Sequence, residues 1–101
     1  MKSFGDMVKQ AQKIQKRMNE VQEQLAQQRY EASAGGGMVK AVVDGKQKLV
    51  ELKLSPELLT EKDVTLIEDL VLTAIGEAQR ESEARMQEAI SSATGGFQLP
   101  F

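Results

Sequence analysis

The 101-residue chain contains no cysteine, no histidine and no tryptophan, and only two prolines. Each absence removes a class of function. Without cysteine there is no disulfide and no thiolate nucleophile; without histidine there is no imidazole metal ligand, no Ser-His pair, and no use of the commonest general base. Aromatics are 4% of the chain and do not interleave with its cations, so a stacking platform for single-stranded bases is missing. No apolar run approaches the roughly 18 residues of a membrane span, and the opening MKSFGDMVKQ lacks the apolar core of a signal peptide. The composition therefore points to a cytoplasmic, non-enzymatic binding protein with no metal, no cofactor, no small-molecule substrate and no membrane contact.

What is present is charge, unevenly placed. The net charge is −2. Over residues 1–30 six cations (Lys2, Lys9, Lys13, Lys16, Arg17, Arg29) face three carboxylates, whereas over 61–101 three cations (Lys62, Arg80, Arg85) face eight carboxylates. The middle third is neutral. A basic first segment and an acidic last one suit an anionic partner, an oppositely charged neighbouring subunit, or neither.

Apolar periodicity divides the chain. Phe4, Met7, Ala11, Ile14, Met18, Val21 and Leu25 fall at alternating steps of three and four, an unbroken heptad that predicts a long helix with a narrow seam. Met7, Ile14, Met18, Val21 and Leu25 are its dimer or helix-packing residues, and the partner helix belongs to the same chain, to a second copy, or to both. At Arg29 period 3.5 gives way to period 2: Tyr30, Ala32 and Ala34, then Gly35-Gly36-Gly37, then Val39, Ala41 and Val43, then Val50, Leu52 and Leu54. Asp44-Gly45 reads as a type I′ hairpin with positive φ at both residues. Ser55-Pro56 ends the last strand. Thr60 is positioned to cap a second long helix in which Val64, Ile67, Val71, Ala74 and Ala78 keep helical spacing, with its first half on the sheet and its weakly amphipathic second half projecting.

The expected fold is α+β, an α-β-β-β-α protomer in which a three-stranded antiparallel sheet is flanked by two long helices. It forms one domain over 1–101, with a helix at about 3–28, strands within about 29–55, a helix at about 61–93 and a flexible tail over 94–101. Two helices of about 25 residues, each on the order of 37 Å long, exceed what so small a body needs, and a three-stranded sheet leaves a face or edge open. Dimerisation resolves both.

Three constellations could carry chemistry. GGGMVK lacks the second glycine and GK[ST] ending of a phosphate-binding loop and precedes a strand, so it reads as a turn. The carboxylates Glu68, Asp69, Glu77, Glu81, Glu83 and Glu88 have no histidine or aromatic-lined cleft beside them and read as a solvated helix face. The cations of the first helix are more specific. Lys2, Lys9 and Lys16 fall at heptad position f, Lys13 at c and Arg17 at g, so most share the face opposite the seam. A row of cations at helical pitch suits a duplex backbone, which it can grip without reading sequence.

These features together resemble the YbaB/EbfC family of bacterial nucleoid-associated proteins. The resemblance spans nearly the whole chain: residues 7–15 (MVKQAQKIQ), Gly35 to Lys40, Asp44-Gly45, Leu54 to Leu58, Ile67 to Val71 leading to Ala74 and Ala78, and the closing Thr94-Gly95-Gly96 and Leu99-Pro100. It implies a homodimer with protruding helical arms, binding of double-stranded DNA with low sequence preference, a place in the cytoplasm or nucleoid, a link to gene expression, and no enzyme activity. The arms it implicates hold Lys2, Lys9, Lys13, Lys16 and Arg17 on the first helix and Arg80 and Arg85 on the second. Gly76 departs from the family pattern and is expected to bend the second helix. The competing expectation is a coiled-coil-like protein-interaction module, engaging protein partners through the seam with indirect or no DNA contact.

Overall fold

The computed structural model describes residues 3–93, and the tail over 94–101 and Lys2 lie outside them. Helix α1 spans Phe4–Gln27, β1 Arg29–Ala34, β2 Val39–Asp44, β3 Leu49–Leu54, the one-turn helix α2 Leu58–Glu61, and α3 Val64–Ala93. Among the described residues this is the expected α-β-β-β-α order with α2 added before the last helix.

Helix α1 begins where Ser3, in extended conformation, accepts the Asp6 backbone N–H on its hydroxyl at 3.2 Å, satisfying one of the free amides of the first turn. It ends against Arg29, whose guanidinium donates to the carbonyls of Ala26 (2.9 Å) and Gln28 (2.8 Å). A cation at a helix C-terminus opposes the negative end of the dipole. Arg29 is thereby occupied structurally.

The strands form an antiparallel sheet in the order β1-β2-β3. The β1–β2 turn has positive φ at Gly35, Gly36 and Gly37, which glycine alone adopts without strain. The β2–β3 hairpin corrects the type I′ expectation. Its left-handed residue is Gln47 (φ 68°), and the Gln47 N–H donates to the Asp44 carbonyl (3.1 Å) while the Asp44 N–H donates to Lys48 (2.9 Å), a type I turn closed by a bulge. Gly45 is required for a different reason: its N–H donates to the Leu25 carbonyl at 2.8 Å, and a Cβ there would collide with that same oxygen. The cap of α3 is also corrected. Lys62 turns left-handed (φ 55°), ending α2, and Asp63 caps α3 by accepting the Leu66 N–H at 3.0 Å, while the Thr60 hydroxyl is used inside α2 on the Glu57 carbonyl.

Helix α3 lies across β1 and β2, and its core is small: Val39, Ala41 and Val43 of β2 meet Ala74 and Ala78 of α3 and Leu58 of α2, edged by Tyr30, Ala32, Ala34, Ile67, Leu70, Val71 and Ile75. Alanines at the crossing let the helix approach the sheet closely. α3 continues through Gly76 without interruption. Its second half packs on the C-terminal half of α1, pinned by Ser82, whose buried hydroxyl donates to the Asp44 carbonyl (2.7 Å) and accepts the Gln47 N–H (3.2 Å). The result is long and thin. The Cα radius of gyration is 19.4 Å, against about 13 Å for a compact chain of this size, and the extents are 70 × 23 × 16 Å.

Candidate nucleic-acid interface

Lys9, Lys13, Lys16 and Arg17 are all exposed on α1. At 100° per residue they lie within an arc of about 100°, and from Lys9 to Arg17 the axis rises about 12 Å. The three lysines lie opposite the seam and so point away from α3, while Arg17, at the edge of the arc, lies beside the seam. The lysines of the row make no ion pair among the described residues. Other cations do: Lys40 with Glu31 (3.5 Å), Lys53 with Glu51 (3.4 Å) and Arg85 with Glu88 (3.3 Å). Exposed pairs of that kind contribute little to stability but do locally cancel charge. Lys9, Lys13 and Lys16 thus form an unpaired row along α1 among the described residues. One acid, Asp6, stands beside Lys9 and Lys13 around a shallow groove of about 350 Å³.

The structure does not gather the expected site residues at one place. Arg17 borders a different shallow groove, of about 390 Å³, with Glu20, Val21 and Gln24 of α1 and Ala89 and Ser92 of α3. Arg80 and Arg85 are exposed on α3, Arg85 already turned to Glu88. The seam divides as well: Leu25 is buried, Met18 and Val21 are half-buried, and Met7 and Ile14 are exposed. Two exposed cations passed over in the sequence lie at the C-terminal end of α1. Lys46 and Lys48 are exposed on the β2–β3 hairpin, which is seated on the end of α1 through the Gly45–Leu25 hydrogen bond, and neither makes an ion pair among the described residues. The Lys-x-Lys spacing in that turn was the available signal.

A second surface is apolar. In the β2–β3 register Val39 faces Leu54, Ala41 faces Leu52 and Val43 faces Leu49, so the three leucines point to the face on which α3 packs. α3 does not reach them. The β2 row has 0% exposure, and Leu49, Leu52 and Leu54 have 38%, 39% and 47%, with Val50, the extra residue at the bulge, also exposed. On the opposite face Lys40, Lys53, Glu31 and Glu51 form a neutral, solvated surface.

A family model described as the YbaB/EbfC DNA-binding family matches residues 1–97. Among curated relatives, a nucleoid-associated protein of Caldanaerobacter subterraneus is 41% identical over 98 residues, 97% of this chain and 88% of the relative. A nucleoid-associated protein of Chlorobaculum parvum is 45% identical over 100 residues, covering 99% and 88%. Among solved structures, an uncharacterised protein of Helicobacter pylori has the same fold, with a TM-score of 0.85 over 93% of this chain and 99% of that one at 18% identity.

Proposed function

The chain belongs to the YbaB/EbfC DNA-binding family, and from that premise we propose that it is a nucleoid-associated protein that binds duplex DNA as a homodimer. It binds rather than catalyses, and any effect on gene expression follows from occupancy of the duplex. The observation that carries this reading is the row Lys9, Lys13 and Lys16 on an arm that extends beyond the body, without ion pairing among the described residues. Ammonium groups on one helical face meet phosphates by position and charge, giving affinity with little sequence preference. Arg17 and the hairpin pair Lys46 and Lys48 are further cations available to the same ligand. Lys2 continues the same heptad position in sequence, and Arg80 and Arg85 are secondary.

The uncovered leucines of β3 support the dimer. Covering three leucines at roughly 40% exposure contributes on the order of 2–4 kcal/mol from each copy's apolar area, before the cost of association, and a two-fold axis through that face duplicates the cationic row.

The test is a binding isotherm on duplex DNA at several salt concentrations. Each phosphate neutralised adds roughly 0.9 to the slope of log K against log salt, so two rows of three lysines account for a slope on the order of 5. Replacing Lys9, Lys13 and Lys16 with alanine removes most of it. A triple variant that keeps the wild-type slope would refute the assignment of phosphate contact to this row.

A further inference from the structure

The seam of α1 is one heptad pattern with two fates. From Met18 to Leu25 it goes under α3, whose Ala89 and Ser92 lie beside Val21. From Phe4 to Ile14 it is open among the described residues: Phe4, Met7 and Ile14 are 80%, 60% and 47% exposed, and Val8 beside them is exposed too. An apolar helical stripe of this kind, continuous with a packed one, is a surface for another helix.

We propose that this half of α1 pairs antiparallel with the same half of α1 in a second copy of the chain. Two features of the helix select that occupant. The first is size. Aligning two copies antiparallel about the midpoint between Met7 and Ala11 sets Phe4 against Ile14 and Met7 against Ala11, so the long methionine of each copy enters the space left by the small alanine of the other. The second is charge. The positions flanking the seam are Ser3, Val8, Gln10 and Gln15, all uncharged, with Arg17 just beyond them, and an antiparallel two-fold sets Gln10 against Gln10, Val8 against Val8 and Arg17 opposite Ser3. Lys9, Lys13 and Lys16 stand on the back of the helix. Like-charge apposition, the usual obstacle to pairing two basic helices, is thus absent from the flanks, and an acidic partner helix would find no cation there to recognise.

The seam from Phe4 to Ile14 is about 15 Å long, so one such contact is weak alone and gains strength when several copies are held together, as on a shared duplex. Its geometry leaves the cationic backs of both helices facing outward. The pairing therefore links protein copies without consuming the groups assigned to phosphates, and it stands independently of whether DNA is the ligand.

The cysteine-free chain allows a direct test without DNA. Met7→Cys and Ala11→Cys variants, mixed and oxidised under mild conditions, carry the only thiols in solution, and a disulfide forms only when the two Cα atoms approach within about 7 Å. The expected product is the mixed Met7→Cys/Ala11→Cys disulfide, in several-fold excess over either homodisulfide and over a Ser33→Cys control on exposed β1. It should persist in a Leu52→Asp background, which separates it from the β3 interface, and fall to the control level when Phe4 and Ile14 are also changed to serine. Homodisulfides in excess would overturn the antiparallel register. Yields equal to the control would overturn the pairing and give the seam to a different occupant.

Discussion

Strands β2 and β3 carry the same message on the same face of one sheet and meet opposite ends. Val39, Ala41 and Val43 are fully buried under α3, while their cross-strand neighbours Leu54, Leu52 and Leu49 are open. The open row is the more hydrophobic of the two in side-chain size, so its exposure is not a matter of composition. It follows from reach. α3 is about 10 Å wide with its side chains, strands are about 4.8 Å apart, and one helix covers two strands. Among the described residues α1 repeats the lesson along its own length, covered where α3 runs beside it and exposed beyond. Apolar pattern therefore marks which faces are suited to burial, and among the described residues the single chain buries only part of them.

The sharpest way to break the comparison is to place the same charge one strand apart. Val43→Asp buries a carboxylate with no partner, an effect of several kcal/mol, in a domain whose total stability is of the usual 5–15 kcal/mol. It should abolish the cooperative urea transition followed by circular dichroism. Leu52→Asp, on the same face, should leave the spectrum native and lower the mass in sedimentation equilibrium from dimer to protomer. If Leu52→Asp unfolds the chain, or remains a dimer, the open row is not the interface.

Along α1 the same contrast is smaller. Leu25→Ala removes a buried side chain seated beneath the hairpin and should destabilise by about 2–4 kcal/mol in urea unfolding. Ile14→Ala alters the bare half of the same seam and should change protomer stability by less than about 0.5 kcal/mol in dilute solution. Equal losses at the two positions would mean that α1 is covered over its whole length.

Much of this was legible before the structure. The heptad marked α1 and its cationic back, period 2 marked the strands, and the order of elements followed. What escaped was set by contacts distant in sequence. Asp44-Gly45 looks like a turn demanding positive φ, yet Gly45 is glycine because Leu25, twenty residues earlier, presses its carbonyl against it. Thr60 has the chemistry of a cap, but the left-handed turn at Lys62 hands that role to Asp63. The division of the seam was hidden for a related reason. Periodicity states which side of α1 is apolar and is silent on how far α3 extends beside it, which depends on where the hairpin fixes the two helices. For the candidate site, the lysine row was readable, while the ion pairs that occupy Lys40, Lys53 and Arg85 and the capping role of Arg29 were not.

That fixing point offers the mildest test, at the boundary between the covered and bare regions. Ser82 is fully buried on α3, and its hydroxyl joins two backbone groups of the hairpin, donating to Asp44 and accepting from Gln47. Ser82→Ala does not orphan either group, because the Gln47 N–H still donates to the Asp44 carbonyl at 3.1 Å. The loss is therefore that of a net hydrogen bond, about 1 kcal/mol, and not the larger penalty of an unsatisfied buried polar atom. In a domain of this size that lowers Tm by roughly 4–8 °C, whereas Ser33→Ala on exposed β1 should leave Tm unchanged. Gln79 also donates to the Gln47 carbonyl at 3.2 Å, so the hairpin keeps a second tie to α3 and the fold should survive. A much larger drop at Ser82 would mean that the hydroxyl sets the helix's position on the sheet, and with it how much of α1 is left bare.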